Sequence, residues 1–312
     1  MNKTIIAVIL IFILVVVLYQ FAPGGGWQGD GTPLYTIAQG CVNGGVYVKG
    51  GHGMTYEIPY IEYFDVPDGE VVYARLYIPV WNYKPGDTLD LTLNGNSPKI
   101  NSEPDYTAAW GVTGYSCNVT DHIIQGMNEV QAVYDNPNGG PYCIMLVVVY
   151  EDPDMPPVHF WINEGNHALA YKNNIDTSTT TFTGCIPGTD ALLYTLLIAG
   201  TEGEVDELYF DSLLIGSDVG RSNSGKYIDL DVFNVTLTEQ VSEVRFERGD
   251  EGYLHPFTCV LVAESGSQTD CNNIEIYEMQ AVKENSIPIS VIAVCLIVIV
   301  AVVINYLRRK KT

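Results

Sequence analysis

A short turn offers the first group of residues that could do chemistry. Residues 135 to 140 read Asp-Asn-Pro-Asn-Gly-Gly, so Asp135, Asn136 and Asn138 bring hard oxygen atoms close together. Calcium takes about six to eight oxygen ligands of this kind. The turn is therefore a candidate calcium site, and calcium is the one cofactor that the sequence suggests. The same residue types also favour an ordinary hairpin turn, and the sequence leaves both alternatives open.

Aromatic side chains form the second candidate. Tyr77 and Trp81 lie on one alternating segment in a tyrosine-rich part of the chain. Aromatic rings stack on the apolar C–H faces of sugars, but Tyr and Trp are also enriched in protein interfaces. We therefore take Tyr77 and Trp81 as candidate ligand contacts, with plain packing between domains as the alternative.

No established catalytic motif accompanies these candidates. His159 and His167 flank Trp161 and Glu164, but their spacing matches no metal motif such as HExxH. The sequence has no GxSxG nucleophile elbow. Adjacent carboxylates are expected by chance in so acidic a chain, so they do not predict a glycosidase. We expect no catalytic residues and no enzymatic activity, with an envelope hydrolase as the weakest alternative.

The charge of the chain excludes one class of partner. The sequence has 37 Asp and Glu against 15 Lys and Arg, a net charge of −22. The acids all lie between residues 23 and 286, whereas basic residues flank the apolar segments at both ends. A surface this acidic repels phosphates, so we expect no nucleic-acid partner.

Apolar segments near both ends predict attachment to a membrane. Residues 289–307 form 19 uncharged residues, enough to cross a bilayer as a helix. Residues 308–312 are a basic tail, which the positive-inside bias places in the cytoplasm. Residues 1–24 are either a secretory signal peptide or a second anchor. Both readings place the bulk of the chain outside the cell membrane.

Cysteines and sequons are consistent with export. Six cysteines lie between the apolar segments, and an even number permits up to three disulfides in an oxidising compartment. Asn118 and Asn234 each begin an Asn-Val-Thr sequon and are candidate glycosylation sites.

Alternation with a period of two residues dominates the middle of the chain and predicts strands. In the segment 72–81, Ala74, Leu76 and Ile78 share one face, while Tyr73 and Tyr77 share the other. A similar order of turns and strands recurs further along, which predicts an internal duplication. We expect an all-β ectodomain of two tandem jelly-roll-like β-sandwiches, with the apolar segment before it and the transmembrane helix after it.

The domain boundaries follow from these patterns. Trp161 and Glu164, just after a proline-rich stretch, are expected to pack between the two sandwiches. The predicted parts between the terminal segments are a first sandwich over 25–152, a connector over 153–172, a second sandwich over 173–272 and a stalk over 273–288.

Several short motifs occur in a fixed order along the chain. They are ARLY at 74–77 with Trp81, LNG at 93–95, VTD at 119–121, VVVYED at 147–152 and WINEG at 161–165. Together they resemble an archaeal, methanogen-type family of exported surface domains of unknown function, over about residues 40 to 265. One departure is Asn118, where the family usually has Asp.

The resemblance implies a surface location and a β fold but no activity. We therefore expect a non-enzymatic, membrane-anchored cell-surface protein that serves adhesion, envelope architecture or protein contacts. An extracellular carbohydrate-binding module is the alternative, because the strand-and-turn rhythm is also similar to that of carbohydrate-binding jelly rolls. Envelope proteins or glycans are the expected partners, besides the membrane itself.

Overall fold

The computed structural model of the protein describes residues 30–264 and 271–277, and its regular structure is β-strand apart from three short 3-10 turns. The expectation of an all-β fold is confirmed. The first half of the described chain holds nine strands: β1 (Gly31–Gly50), β2 (Tyr60–Val66), β3 (Glu70–Trp81), β4 (Leu89–Leu93), β5 (Tyr106–Thr107), β6 (Thr113–Asn118), β7 (Gly126–Tyr134), β8 (Gly140–Pro141) and β9 (Met145–Glu151).

The second half repeats this count and ends with one additional strand. Its strands are β10 (Pro157–His167), β11 (Leu169–Ala170), β12 (Thr177–Thr183), β13 (Asp190–Ile198), β14 (Glu207–Phe210), β15 (Leu213–Ser217), β16 (Ile228–Thr236), β17 (Val241–Glu247) and β18 (Tyr253–Glu264), followed by β19 (Asn272–Ile276). The 3-10 turns are Ala109–Gly111, Thr120–His122 and Tyr171–Asn173.

The strands form one large central sheet and two small sheets. The central sheet runs in the order β16-β13-β18-β10-β1-β9-β3-β6-β5, with β8, β11 and β19 paired beside this path. The small sheets have the orders β2-β7-β4 and β12-β17-β14-β15. We call them the three-stranded and the four-stranded sheet. The sheets pack face to face in a sandwich-like arrangement.

The strand order of the two halves is the same when it is read outward from the middle of the central sheet. The first half runs β1-β9-β3-β6 and the second half runs β10-β18-β13-β16. The small sheets correspond as well, with β2-β7-β4 matching β12-β17-β14. This repeated order is what an internal duplication predicts, and that prediction is confirmed at the level of topology.

The connector is where the structure differs from the sequence interpretation. The segment 153–172 contains β10, which pairs antiparallel with β1 on one side and with β18 on the other. The central sheet therefore continues through both halves rather than stopping at a linker. Pro157 is the first residue of β10, a position where the missing N–H of proline disrupts no inner ladder.

Three hydrophobic cores show how the layers stack. The first core lies between the three-stranded sheet and the first half of the central sheet and includes Phe64, Leu76 and Leu146. The second core lies between the four-stranded sheet and the second half and includes Phe182 and Leu193. Each small sheet thus covers one half of the central sheet.

The third, central core joins the two halves. It contains Tyr77 and Val147 from the first half together with Leu196 and Phe257 from the second. The rings of Tyr77 and Phe257 meet edge to face, 6.5 Å apart between centroids. A Cβ at Gly114 would lie 2.2 Å from the Phe257 ring, so a larger residue would not fit there. The central sheet therefore bends so that its two halves face each other across a buried layer.

The last described segment is fastened to the body at two points. Strand β19 pairs antiparallel with β1, and a disulfide joins Cys41 of β1 to Cys271. The predicted stalk over 273–288 thus begins as a strand of the central sheet. The four other described cysteines are free and buried: Cys117, Cys143, Cys185 and Cys259.

The predictions about the ends of the chain fall on other residues. Residues 1–24, 289–307 and 308–312 lie outside the described part. Among residues 30–264 and 271–277, no helix is long and apolar enough to cross a membrane.

Candidate functional site

A cleft of about 430 Å³ opens where loops of the two halves meet. This volume falls within the range of roughly 300–1,000 Å³ that is usual for small-molecule sites. Six of the lining residues are aromatic. The first half contributes Met54, Tyr56, Trp81, Trp110, Val112 and Tyr142, and the second half contributes Ala199, Lys226, Tyr227, Tyr253 and His255.

The ends of central strands position most of these side chains. Trp81 is the last residue of β3 and pairs with Gly140 of β8. Tyr253 is the first residue of β18, and Ala199 directly follows β13. The central core holds the strands that carry these side chains. The shape of the cleft therefore depends on the central sheet rather than on a single loop.

Trp110 is the most prominent ring at the rim. It sits in the 3-10 turn before β6 and remains 39% exposed. Its indole meets Tyr253 edge-on at 4.8 Å between ring centroids, and Tyr253 in turn meets Tyr171 at 6.0 Å. Across the cleft, Tyr56 is 67% exposed. Large apolar rings held at the mouth of a cavity are available to a ligand.

Three residues of the cleft lining have a left-handed backbone conformation. Trp110, Ala199 and Tyr227 have φ values of 59°, 69° and 62°, a left-handed conformation that is uncommon for residues with a side chain. Such conformations cost about 1–3 kcal/mol each and cluster at ligand clamps and active sites. Three such residues in the lining of one cleft indicate that the surrounding fold holds the cleft in a conformation that costs free energy.

A close backbone approach completes one wall. Met54 donates its N–H to the Lys226 carbonyl at 2.9 Å, and Gly53 forms an isolated bridge with Lys226. A Cβ at Gly53 would lie 2.2 Å from the Lys226 nitrogen, so glycine is needed there. This contact ties the loop after β1 to the loop before β16.

His255 forms part of the floor and is held neutral. Asn166 donates its amide N–H to the Val112 carbonyl at 3.1 Å, which leaves the amide oxygen to accept from His255 Nδ1 at 3.0 Å. Burial, and next the nearby His167, lower the pKa of His255 to about 3. Burial also lowers the pKa of His167 to about 4. A neutral His255 can accept a hydrogen bond at Nε2 but does not exchange protons near neutral pH.

The lining does not resemble a hydrolytic centre. None of the described residues that line the cleft is Asp or Glu, whereas glycoside hydrolysis commonly uses two carboxyl groups. The chemistry offered there is stacking, hydrogen bonding and one ammonium group.

The structure separates the two residues that were predicted as ligand contacts. Trp81 lines the cleft, half-buried. Tyr77 lies in the central core and is fully buried, with the Arg75 guanidinium 5.9 Å from its ring centroid. Tyr77 therefore has no open face for a ligand in this structure.

Hydrogen bonds made by the Asn136 side chain hold the candidate calcium turn in place. The Asn136 amide donates to Asp87 Oδ2 at 2.8 Å and to the Asn82 carbonyl at 2.9 Å, and its oxygen accepts from the Asn138 N–H at 2.9 Å. Asp135 is exposed. These contacts are those of a well-ordered turn.

Calcium binding by this turn stays a prediction. If it binds there, calorimetric titration of the protein gives a saturable heat that Asp135→Ala removes. A thermal unfolding midpoint that is unchanged by calcium and by EDTA, with no heat, would contradict it.

The remaining predicted residues lie in defined places. Asn118 and Asn234 are both exposed at strand ends, so a sugar could be attached without disturbing the core. Trp161 lies in the second core, where its indole N–H donates to the Thr183 carbonyl at 2.7 Å. Glu164 of β10 receives hydrogen bonds from Arg75 of β3, across the two halves.

One further group could hold a metal in another redox state. Among the described residues, Cys41, His159 and Cys271 have ligand atoms within 4.8 Å of one another. In this structure the two cysteines form the disulfide, and the Cys41 sulfur lies 3.7 Å from His159 Nε2.

Sequence reasoning missed most of the cleft. Trp110, the adjacent pair Lys226 and Tyr227, and His255 come from three distant parts of the sequence, and none belongs to a recognised motif. The only local signal is the aromatic residue at or beside a glycine-containing turn, as in Trp110-Gly111.

These features define the class of protein first: an all-β protein with sandwich-like sheets and an aromatic cleft between two topologically equivalent halves. The family model described as "Protein of unknown function (DUF3344)" matches residues 26–264, and the chain belongs to this family. No curated protein matches the sequence.

Solved structures show only distant similarity. BuGH86 in complex with neoagarooctaose has 6% identity and a TM-score of 0.27, covering 77% of this chain and 35% of that chain. A β-porphyranase of glycoside hydrolase family 86 from Bacteroides plebeius has 14% identity and a TM-score of 0.24, covering 65% and 37%. A conserved protein of unknown function from Pseudomonas aeruginosa PAO1 has 9% identity and a TM-score of 0.25, covering 66% and 82%. This chain spans about a third of the two hydrolases, and TM-scores this low carry no functional implication.

Proposed function

We propose that the protein is a non-catalytic binding protein of the cell surface that takes a saccharide into the aromatic cleft. The observation that carries this proposal is the cleft itself, in which six aromatic side chains surround about 430 Å³. Of the functions that the sequence left open, the cleft favours carbohydrate binding over adhesion through protein contacts, because it is concave and sized for a small ring system.

The chemistry of a sugar suits this lining. A pyranose has apolar C–H faces that stack on aromatic rings, and Trp110 and Tyr56 expose rings at the mouth. Its hydroxyl groups need both donors and acceptors, which His255 and the tyrosine hydroxyls supply. Rings whose positions are fixed by the central sheet lose little entropy on binding, so the site is preorganised.

The proposal includes the location and the arrangement of modules. Each half, with its small sheet, is a jelly-roll-like sandwich, and the two share one central sheet. We propose that the acidic body is anchored by the segment 289–307 and displayed outside the membrane, as in the surface proteins of the archaeal family that it resembles. Protease added to intact cells would then cleave it, and full protection would contradict this location.

Replacing Trp110 with alanine is expected to weaken saccharide binding at least tenfold, about 1.4 kcal/mol, because the ring offers an open stacking face. Tyr56→Ala should weaken binding in the same direction. The measurement is a glycan array followed by isothermal titration calorimetry with the best ligand. Tyr63→Ala is the matched control, because Tyr63 is an exposed ring on β2 that does not line the cleft.

Three outcomes would contradict the proposal. An array with no bound glycan would remove carbohydrate as the ligand. Equal losses for the Trp110 and Tyr63 variants would move the site away from the cleft. Hydrolysis of a bound glycan by the purified protein would contradict the non-catalytic role.

A further inference from the structure

The charge of the cleft is opposite to that of the chain as a whole. The sequence has a net charge of −22, yet Lys226 is the one charged side chain among the described residues that line the cleft, and none of them is acidic. The Lys226 ammonium lies 5.1 Å from the centroid of the Tyr227 ring. A positive group therefore stands at the aromatic rim.

A second lysine lies beside an aromatic residue of the cleft. The Lys172 ammonium lies 5.6 Å from the centroid of the Tyr253 ring and 5.7 Å from that of Tyr171. Tyr253 lines the cleft and contacts Trp110. The rings around Tyr253 therefore also have a cation next to them.

Neither lysine is paired with a carboxylate in the described part of the chain. Three arginines there form ion pairs with carboxylates, namely Arg75 with Glu164, Arg245 with Glu247 and Arg248 with Asp176. Within residues 30–264 and 271–277, Lys172 and Lys226 form no such pair; both lie against aromatic rings instead. Two cations beside the aromatic rings of one cleft, without a carboxylate among the described lining residues, leave a local positive site.

This arrangement fits a ligand that carries negative charge. An ammonium at the edge of a partly desolvated cleft attracts an anionic group more strongly than the same group in open solvent would. The acidic surface around it repels anions over a Debye length of roughly 8 Å at physiological salt, so only an anion seated beside the lysines gains from them. A neutral sugar would offer no opposite charge to the exposed Lys226 ammonium.

Resting on the proposed saccharide function, we propose that the cleft selects an acidic saccharide, whose carboxylate or sulfate ester lies at Lys226 while its ring stacks on the aromatic rim. Lys226 is the specificity-determining residue. Lys172 adds positive potential beside the Tyr171 and Tyr253 rings.

Matched saccharides test this selection. An oligogalacturonate and its fully methyl-esterified form differ in the carboxylate charge, and a sulfated galactan oligosaccharide and its desulfated form differ in the sulfate. Titration calorimetry of the full-length protein at physiological salt is expected to show at least tenfold tighter binding for the acidic member of one pair. The pair that responds identifies the anion.

Variants locate the effect. Lys226→Met is expected to remove the tenfold preference for the acidic saccharide over its neutral partner. Lys99→Met is the matched control, because Lys99 is an exposed lysine that does not line the cleft, and it should keep the preference. Thermal unfolding checks each variant, and Lys226→Gln replaces Lys226→Met if the latter is unstable.

The outcomes separate the inference from the function on which it rests. Equal affinity for the acidic and neutral members of both pairs overturns the charge selection and leaves saccharide binding standing. A preference that survives in Lys226→Met overturns the role of this residue. Absence of binding by all four saccharides, with an empty glycan array, overturns both proposals together.

Discussion

Replacing Glu164 with alanine is expected to lower the free energy of unfolding by about 3–5 kcal/mol, the usual cost of removing one partner from a buried ion pair. The Glu164 side chain is fully buried, and its Oε2 accepts a hydrogen bond from Arg75 Nε at 2.6 Å. Its Oε1 accepts from Arg75 Nη2 and from the Tyr106 hydroxyl. One carboxylate therefore satisfies two groups of the first half from a strand of the second.

The loss of stability would be large because the Arg75 guanidinium cannot become neutral. Burial lowers the pKa of Arg75 and the Glu164 carboxylate raises it, and the net result is a raised pKa. Without Glu164 the guanidinium stays protonated and keeps the Ser116 hydroxyl as a hydrogen-bond partner, at 2.7 Å, but has lost its counter-ion. A buried charge without a counter-ion costs several kcal/mol.

Urea unfolding followed by circular dichroism measures this loss. Glu247→Ala is the matched control, because it removes the partner of Arg245 from an ion pair whose side chains are 28% and 31% exposed, and exposed pairs contribute at most about 1 kcal/mol. The double variant Arg75→Met with Glu164→Leu should recover much of the stability, because it removes both charges. Equal losses for Glu164→Ala and Glu247→Ala would show that the buried pair does not hold the halves together.

Strand β3 shows how far sequence reasoning reached and why it stopped. The alternation of Ala74, Leu76 and Ile78 predicted one buried face, and all three lie in the first core. On the opposite face, Tyr77 was a candidate ligand contact with packing between domains as the alternative, and its ring lies in the central core together with that of Tyr73. A period of two identifies the two faces of a strand, whereas burial of the second face depends on a layer formed by the other half of the chain.

The segment around β10 was predicted to be a connector and is a strand of the central sheet, for a related reason. Two consecutive prolines, Pro156 and Pro157, predicted a stiff connector, and local signals contain nothing against it. The pairing of β10 with β1 joins residues 114 to 136 positions apart, and its pairing with β18 joins residues 94 to 106 positions apart. Proline restricts only the first position of such a strand, so the rest was free to enter the centre of the sheet.

The cleft could not be predicted because it exists only after this topology has formed. Its residues come from seven loops or strand ends between Met54 and His255, and the pairing of β1 with β10 brings the two halves together. Trp81 was recognised as a candidate because it ends a strand rich in aromatic residues. Trp110 and Lys226 carry the proposed specificity, but their roles rest on neighbours that the sequence does not place beside them.

Stability is expected to fall as the pH rises from about 6 to 8.5, because buried carboxyl groups hold the loops on one side of the cleft. Burial, the largest cause, raises the pKa of Asp206 to about 6, that of Asp229 to about 6 and that of Glu251 to about 8. The carboxyl of Glu204 further raises the pKa of Glu251. These groups accept backbone N–H bonds at 2.6 to 2.9 Å from Thr201, Val219, Gly220, Ser222 and Asn223.

The direction follows from proton linkage. In the unfolded chain these carboxyl groups have pKa values of about 4, so between pH 4 and 8 the folded protein binds more protons than the unfolded chain. Stability then decreases as the pH increases through this window and is fullest below the unfolded pKa. His167 and His255 act in the opposite direction, because their lowered pKa values favour the unfolded state below about pH 6.5. The range above pH 6.5 therefore isolates the carboxyl groups.

Glu251→Gln separates the contribution of Glu251 to this pH dependence of stability from those of Asp206 and Asp229. The glutamine oxygen can still accept the Thr201 N–H, but it carries no proton to lose, so the variant should lose less stability than the native protein between pH 6.5 and 8.5. A tenfold change in proton affinity corresponds to about 1.4 kcal/mol, and we expect a difference of about 2 kcal/mol at pH 8.5. Asp250→Asn, which changes the exposed neighbouring carboxylate, is the control and should follow the native curve. Parallel curves for Glu251→Gln and the native protein would show that Glu251 titrates as it does in water. In that case the loop that begins at Thr201, whose N–H donates to Glu251, would be held independently of pH.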